Sequence, residues 1–337
     1  MKIFFYLLLL IATASATANT NTNTYYNAYN YDMTTPLFTP DGRLLQVEYA
    51  SIAALERSSP MVALVVRDCD CDCDCDCDCD LHFMKDVVVL ACMPSVSVQR
   101  RKQRRLIPVA LANYNDYNDN NKKDDFVCLC MNGVLSDAVS LLGKVRKFME
   151  GKKAVGAVQL ANVIEDECQS HAFGGGLRPY GASFLVCGLN VKDRAEIYST
   201  EPSGAVHRMD VENEFYEQEQ LCEGHTNASQ KRFICRVVGK ADVSKRIRDS
   251  IVRLLTEQDI DDSSVNENGV RRGIDAIIKA FLEEVNVMNK GNNSSVRDED
   301  LFFRPEIVVL SSGVAHVLED KDIDCVVNRI RSQIEVE

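Results

Sequence analysis

The chain has no surplus of positive charge: 38 lysines and arginines stand against 50 aspartates and glutamates in 337 residues. No basic stripe stands out, so the electrostatic footprint of a nucleic-acid surface is missing. Histidines are few, at 82, 171, 207, 225 and 316. None pairs with another at the helical spacing that would aim two imidazoles at one metal. No Walker sequence occurs, and the triplet Gly174-Gly175-Gly176 lacks the G-x-G-x-x-G frame and strand-turn-helix order of a phosphate cradle. His171 beside it reads as a helix-capping histidine before a glycine turn. The apolar run 3–11 is too short for a membrane span.

What the chain does have begins with acidity. The formal charge is −12, and more than half of it comes from residues 68–80, where seven aspartates alternate with six cysteines. Cys69, Cys71, Cys73, Cys75, Cys77 and Cys79 pair thiolates with carboxylates, the donor chemistry of a soft metal such as zinc. A two-residue period lacks the C-x-x-C spacing of a tetrahedral site, and adjacent like charges repel. The reading is therefore a disordered repeat, without metal or cofactor. Cysteines that close in one strand are also badly placed to bridge. The other cysteines sit in apolar or helical contexts and read as small buried hydrophobes.

Two more stretches are compositional. Residues 111–125 are Asn- and Asp-rich and of low complexity, and residues 210–232 are acidic. Residues 1–20 carry Lys2, the apolar run 3–11 and Ala14-Ser15-Ala16, the pattern of a secretory signal. Sequons at Asn227, Asn292 and Asn293 would permit glycosylation in a secreted product.

Apolar runs of strand length occupy 62–66, 87–91, 126–131, 182–189 and 306–310. Helical periodicity covers 136–150, 155–171, 241–255 and 274–287. Strands flanked by pairs of helices predict layered α+β packing in one large domain.

The densest local signal is residues 31–50, Y-D-M-T-T-P-L-F-T-P-D-G-R-L-L-Q-V-E-Y-A. Pro40 presets φ, Asp41 is placed to cap, and Gly42 tolerates unusual angles. From Arg43 a helix follows, with Leu44, Val47 and Ala50 on one face. This string resembles the amino-terminal signature of proteasome alpha-type subunits, departing from it at Met33, Thr39 and Leu45. Later blocks follow in the family's order: F-V-C-L-C-M-N-G-V-L-S-D-A at 126–138, R-P-Y-G-A-S-F-L-V-C-G-L-N at 178–190, I-Y-S-T-E-P-S-G at 197–204, then Gly239-Lys240.

The resemblance implies a four-layer α-β-β-α sandwich of the N-terminal-nucleophile hydrolase type. It divides the chain into a signal-like extension (1–30) and an alpha-type domain (31–337) with insertions at about 68–80, 111–125 and 210–232. It implies a catalytically silent structural and gating subunit of the outer ring of the 20S core particle, serving ubiquitin-dependent and ubiquitin-independent protein degradation. The partners it implies are other alpha subunits in a seven-membered ring, beta subunits, and a regulatory particle or activators, with neither nucleic acid nor membrane. The expected location is cytoplasm and nucleus. Tyr31, Asp32, Pro40 and Tyr49 match the gate-ordering cluster of the family. Arg105 stands at the position of the lysine that receives an activator's carboxylate; the same run, 100–105, also reads as a solvated basic stretch.

Active members of this superfamily expose an N-terminal threonine whose own amine serves as base. Here a helix precedes the first strand, and Pro60 falls where that threonine would stand. Two rival readings are a secreted or luminal Cys/Asp-rich metal-binding protein and a hydrolase processed to expose Ser58 or Ser59.

Overall fold

A computed structural model describes residues 31, 36–69, 84–94, 104–110, 126–150, 155–174, 177–190, 192–211, 232–257, 266–291, 303–311 and 314–334. In chain order the elements are α1 (Leu45–Glu56), β1 (Met61–Cys69), β2 (Met84–Cys92), β3 (Leu106–Ala110), β4 (Phe126–Gly133), α2 (Leu135–Met149), α3 (Ala157–Phe173) and β5 (Ala182–Leu189). There follow β6 (Ala195–Thr200), β7 (Val206–Met209), β8 (Arg232–Val238), α4 (Ala241–Glu257), α5 (Asn266–Gly291), β9 (Glu306–Ser311), β10 (Val314–Val317) and α6 (Asp320–Ile334).

The strands form two five-stranded sheets, ordered β10-β9-β2-β1-β8 and β3-β4-β5-β6-β7, with every neighbouring pair antiparallel. Alternation along β1 shows why its apolar run is unbroken. Met61, Ala63 and Val65 enter the core between the sheets, while Val62, Leu64 and Val66 enter a second core under α4, α5 and α6. β4 does the same on the other side: Cys128 and Cys130 face the inter-sheet core, and Val127, Leu129 and Met131 pack under α2 and α3. A strand covered on both faces keeps no polar side, so alternation disappears from its sequence. Three cores between four layers make the α-β-β-α sandwich.

At the end of the sandwich remote from α1, one buried carboxylate joins the two sheets. Asp86 on β2 accepts hydrogen bonds from Arg67 Nε on β1 (2.8 Å) and from the Ala195 amide at the start of β6 (2.9 Å). Its own amide donates to the Asp193 carbonyl (3.0 Å). Both side chains of the Arg67–Asp86 pair are almost entirely buried. The register of β1 and β2 is unbroken to Cys69 opposite Met84, and the Cys-Asp repeat from Asp70 onward lies outside the described residues. No helix among the described residues is long and apolar enough to cross a membrane.

Candidate assembly surface

The turn before α1 is closed by backbone. Gly42 (φ +79°) donates its amide to the Thr39 carbonyl at 2.8 Å, and the Thr39 amide donates to the Arg43 carbonyl at 2.9 Å. Thr39 Oγ1 also accepts the Arg43 amide at 3.0 Å. Asp41, expected as the cap, makes no cap bond: the N-cap of α1 is Leu44, without a side-chain cap, and the helix begins at Leu45 rather than Arg43. The turn is held instead by Thr39 and by Arg43, whose guanidinium meets the Glu48 carboxylate in the first helical turn (Nε to Oε1, 2.8 Å). That hydrogen bond and attraction raise the Arg43 pKa and lower that of Glu48.

α1 has two apolar faces. Val47, Ala50 and Ala54 are buried against the sandwich, while Tyr49, Ile52 and Leu55 on the opposite side remain 47%, 51% and 49% exposed. An apolar stripe turned to water on a helix already docked by its other face marks a contact surface. The helix comes this close because of Gly133 at the end of β4. Its φ is +84°, and a Cβ there would stand 2.5 Å from the Gly181 carbonyl oxygen and 3.0 Å from Ala54 Cα.

Beside this seat, Asp137 at the start of α2 clamps the R-P-Y-G segment. Its carboxylate accepts Arg178 Nη2 at 2.7 Å and the Gly181 amide at 2.8 Å. Burial pushes the Asp137 pKa up, but the Arg178 and Gly181 hydrogen bonds together outweigh it and the net direction is down. His171, in the last turn of α3, caps no carbonyl of its own helix among the bonds described. Its Nδ1 lies 2.9 Å from the Arg178 carbonyl, and its ring packs on Tyr180 at 4.1 Å. α3 ends instead on the Gly174 amide, which donates to Ser170. Phe38, ahead of the turn, stacks on Phe173 with centroids 6.5 Å apart. Leu37, Phe38, Phe173 and Leu177 thereby extend the exposed apolar surface.

The expected site residues are only partly gathered. Tyr49 lies on the outward face of α1, Pro40 is exposed in its turn, and Tyr31 is half-buried. Asp32 and Met33 lie outside the described residues, as do Cys71, Cys73, Cys75, Cys77 and Cys79. Cys69 ends β1. Among the described residues no group of three or more His, Cys, Asp or Glu side chains is placed to hold a metal. Arg105 leads into β3. Its amide and that of Leu106 donate to Glu306 Oε2 on β9 (2.8 and 2.9 Å), and its carbonyl accepts the Met131 amide. This puts Arg105 two residues along β4 from Gly133, beside the seat of α1.

At the head of β1 the chain runs unbroken from α1 through Ser58, Ser59 and Pro60. Ser59 donates its amide to Asn132 Oδ1 (2.9 Å), and the Pro60 carbonyl accepts the Met93 amide (2.9 Å). Pro60 is buried, with its Cα 3.4 Å from where a Cβ on Gly239 would lie. A prolyl nitrogen in a tertiary amide offers neither a hydroxyl nucleophile nor a free amine.

Sequence reasoning missed Asp137, Phe173 and Glu306 as organisers of this end. Their partners lie 41, 135 and 201 residues away (Arg178, Phe38, Arg105), and no local pattern encodes such distances.

α1 thus precedes the first strand and is seated on the end of the sandwich with an apolar face outward. Comparisons with known proteins bear on this arrangement. The N-terminal signature of A-type proteasome subunits matches residues 31–51, the turn and the first half of α1, and the proteasome-subunit family matches 120–212, from the approach to β4 past β7. The chain is 33% identical over 181 residues to the proteasome alpha subunit of Pyrococcus abyssi, covering 52% of this chain and 57% of that protein. It is 31% identical over 182 residues to that of Thermococcus onnurineus and 29% identical over 182 residues to that of Methanocaldococcus jannaschii, with 52% of this chain covered in both cases. It spans 57% and 58% of those two relatives, a little over half their length. The chain thus carries the proteasome alpha-type signature and a proteasome-family segment, and its sandwich is of the N-terminal-nucleophile hydrolase type.

Proposed function

We propose that this chain is a structural subunit of the outer alpha ring of a 20S proteasome and contributes no nucleophile to peptide hydrolysis. The observation that carries the reading is α1: a helix in front of β1, seated through Gly133, with Tyr49, Ile52 and Leu55 presented outward for a neighbour. Pro60 at the head of β1 supports catalytic silence, because neither its side chain nor its nitrogen can attack a carbonyl. On this reading, partners are neighbouring alpha-type chains and an inner ring of beta-type chains, and the particle serves protein degradation, ubiquitin-dependent included, in cytoplasm and nucleus.

Finer roles follow from the same reading. Tyr31, Asp32, Pro40 and Tyr49 order the tails around the entry pore, through phenol and carboxylate hydrogen bonds between neighbours. Arg105, at the rim of the sandwich beside α1, receives the terminal carboxylate of an activator through its guanidinium fork. The test is enzymatic. The purified full-length chain alone should neither hydrolyse fluorogenic oligopeptides nor be labelled by a peptide epoxyketone. Hydrolysis with labelling at Ser58 or Ser59 would overturn the reading.

A further inference from the structure

The two sheets pinch together at one corner. Facing sheets usually stack about 10 Å apart, yet Cα atoms of β3 come within 8 Å of Cα atoms in both β2 and β9. Glu306 on β9 spans the gap, its Oε2 accepting the amides of Arg105 and Leu106. In register, Glu306 stands opposite Cys92 on β2, and Leu106 stands opposite Cys130 on β4. The corner thus brings together one cysteine from each sheet. Cys92 and Cys130 lie in the inter-sheet core, 2% and 0% exposed, and both are free thiols. The Cys130 thiol hydrogen-bonds with that of Cys92, which in turn donates to the Met93 carbonyl at 3.7 Å.

A second pair of thiols in the same core makes a useful contrast. Cys128 on β4 stands directly opposite Cys187 on β5. The Val134 amide donates to the Gly181 carbonyl at 2.8 Å, and counting two residues at a time along that register makes 128 and 187 a hydrogen-bonded pair. Side chains of such a pair stand further apart than those of the alternate pairs in the ladder. Cys92 and Cys130 instead meet from facing sheets, as do the half-cystines of the buried inter-sheet bridge in antibody domains.

We propose that Cys92 and Cys130 are a covalent modification site, closing as a disulfide that joins β2 to β4 and so fastens the two sheets. The co-reactant is a low-molecular-weight disulfide. One cysteine thiolate attacks a sulfur of that disulfide and expels a small thiolate. The second cysteine thiolate then attacks the protein sulfur of the mixed disulfide and expels the other. The two protein protons end on the two small thiols, so the protein pair is oxidised as the small disulfide is reduced. Burial and the hydrogen bond from Cys92 hold the Cys130 pKa above its ordinary value, which keeps thiolate scarce in the closed corner. Exchange is therefore slow and proceeds through local opening of β3, a five-residue strand at the edge of its sheet. Once made, the bond locks the junction that Glu306 holds. The inference is independent of the ring reading, since it concerns contacts within one chain.

The full-length protein, incubated with oxidised glutathione in native buffer and mapped by peptide mass spectrometry without reduction, supplies the test. A peptide pair joined through Cys92 and Cys130 is expected, short of two hydrogens and released by dithiothreitol. Cys128→Ala should yield the same joined pair. Amide exchange along β3 should slow several-fold in the oxidised protein and recover on reduction. The exposed Cys325 reports that the oxidant is competent. Cys92 and Cys130 both still free after Cys325 has reacted fully would overturn the proposal. So would Cys130 joined to Cys128 or Cys187, loss of the joined pair in Cys128→Ala, or a 92–130 bond that forms only in urea.

Discussion

Gly133→Ala probes the seat of α1 directly. The native φ of +84° lies in the left-handed region, where a side chain costs about 1–2 kcal/mol. The added Cβ would also meet the Gly181 carbonyl oxygen at 2.5 Å and Ala54 Cα at 3.0 Å, both backbone atoms that cannot rotate away. Relieving such overpacking typically costs about 1–3 kcal/mol. The two effects together predict a loss of roughly 2–5 kcal/mol, a large share of a domain's marginal stability. Gly143→Ala is the matched control. Gly143 lies within α2, has a helical φ, and a Cβ there meets nothing within 4 Å. It should therefore stabilise by up to about 1 kcal/mol through helix propensity. Urea unfolding followed by circular dichroism gives both numbers, provided the slope with denaturant stays the same. Should Gly133→Ala unfold within about 0.5 kcal/mol of the parent, the close approach of α1 is not what that glycine serves.

Other expectations concern single contacts. Asp137→Ala should cost about 1–3 kcal/mol, because the buried Gly181 amide loses its acceptor. Because the folded pKa of Asp137 is depressed, its contribution is fully present above the unfolded value of about 3.9 and is lost as pH falls through the folded value; unfolding between about pH 5 and pH 2 should show this in the parent and not in Asp137→Asn. Asp86→Ala should cost about 3–5 kcal/mol by removing the buried carboxylate that Arg67 and the Ala195 amide share, and a paired Arg67→Met, Asp86→Leu replacement should cost less than the single change, as a double-mutant cycle would record. Burial pushes the thiol of Cys168 up to about 12 and those of Cys128, Cys130 and Cys187 also upward, so these four should resist iodoacetamide in the native state while exposed Cys325 reacts; residue-resolved mass spectrometry reads the outcome.

Strands at 87–91, 126–131, 182–189 and 306–310 and the helices of 136–150, 155–171 and 241–255 were legible because burial on one or both faces leaves long apolar runs or a clear helical period. What escaped had weaker local marks. β8 hides in R-F-I-C-R-V-V behind an acidic insertion, and β10, four residues long, pairs only with β9 among the described strands. α6 is so polar that its buried Ile323, Val327 and Ile330 form a narrow stripe. α5 runs from Asn266 to Gly291, well beyond the 274–287 read from periodicity, since its first turns are polar. The candidate surface was half legible. The P-D-G-R turn and the helix behind it are local, whereas the clamp of Asp137 on Arg178 and the stack of Phe38 on Phe173 exist only once α2, α3 and the tail meet. Asp41 shows the limit of local rules: its type and place suit a cap, yet Thr39 and backbone bonds close that turn.

Ring membership is most directly tested by native mass spectrometry of the full-length chain captured by a carboxy-terminal tag from cells that make it, beside an Ile52→Asp, Leu55→Asp variant. Both positions are half exposed, so the variant should keep its stability to within about 0.5 kcal/mol. The parent should come out in a four-ring particle with other alpha-type and beta-type chains, and the variant should be missing from that particle. A parent chain recovered alone, or a variant that enters the particle as readily, would contradict the account.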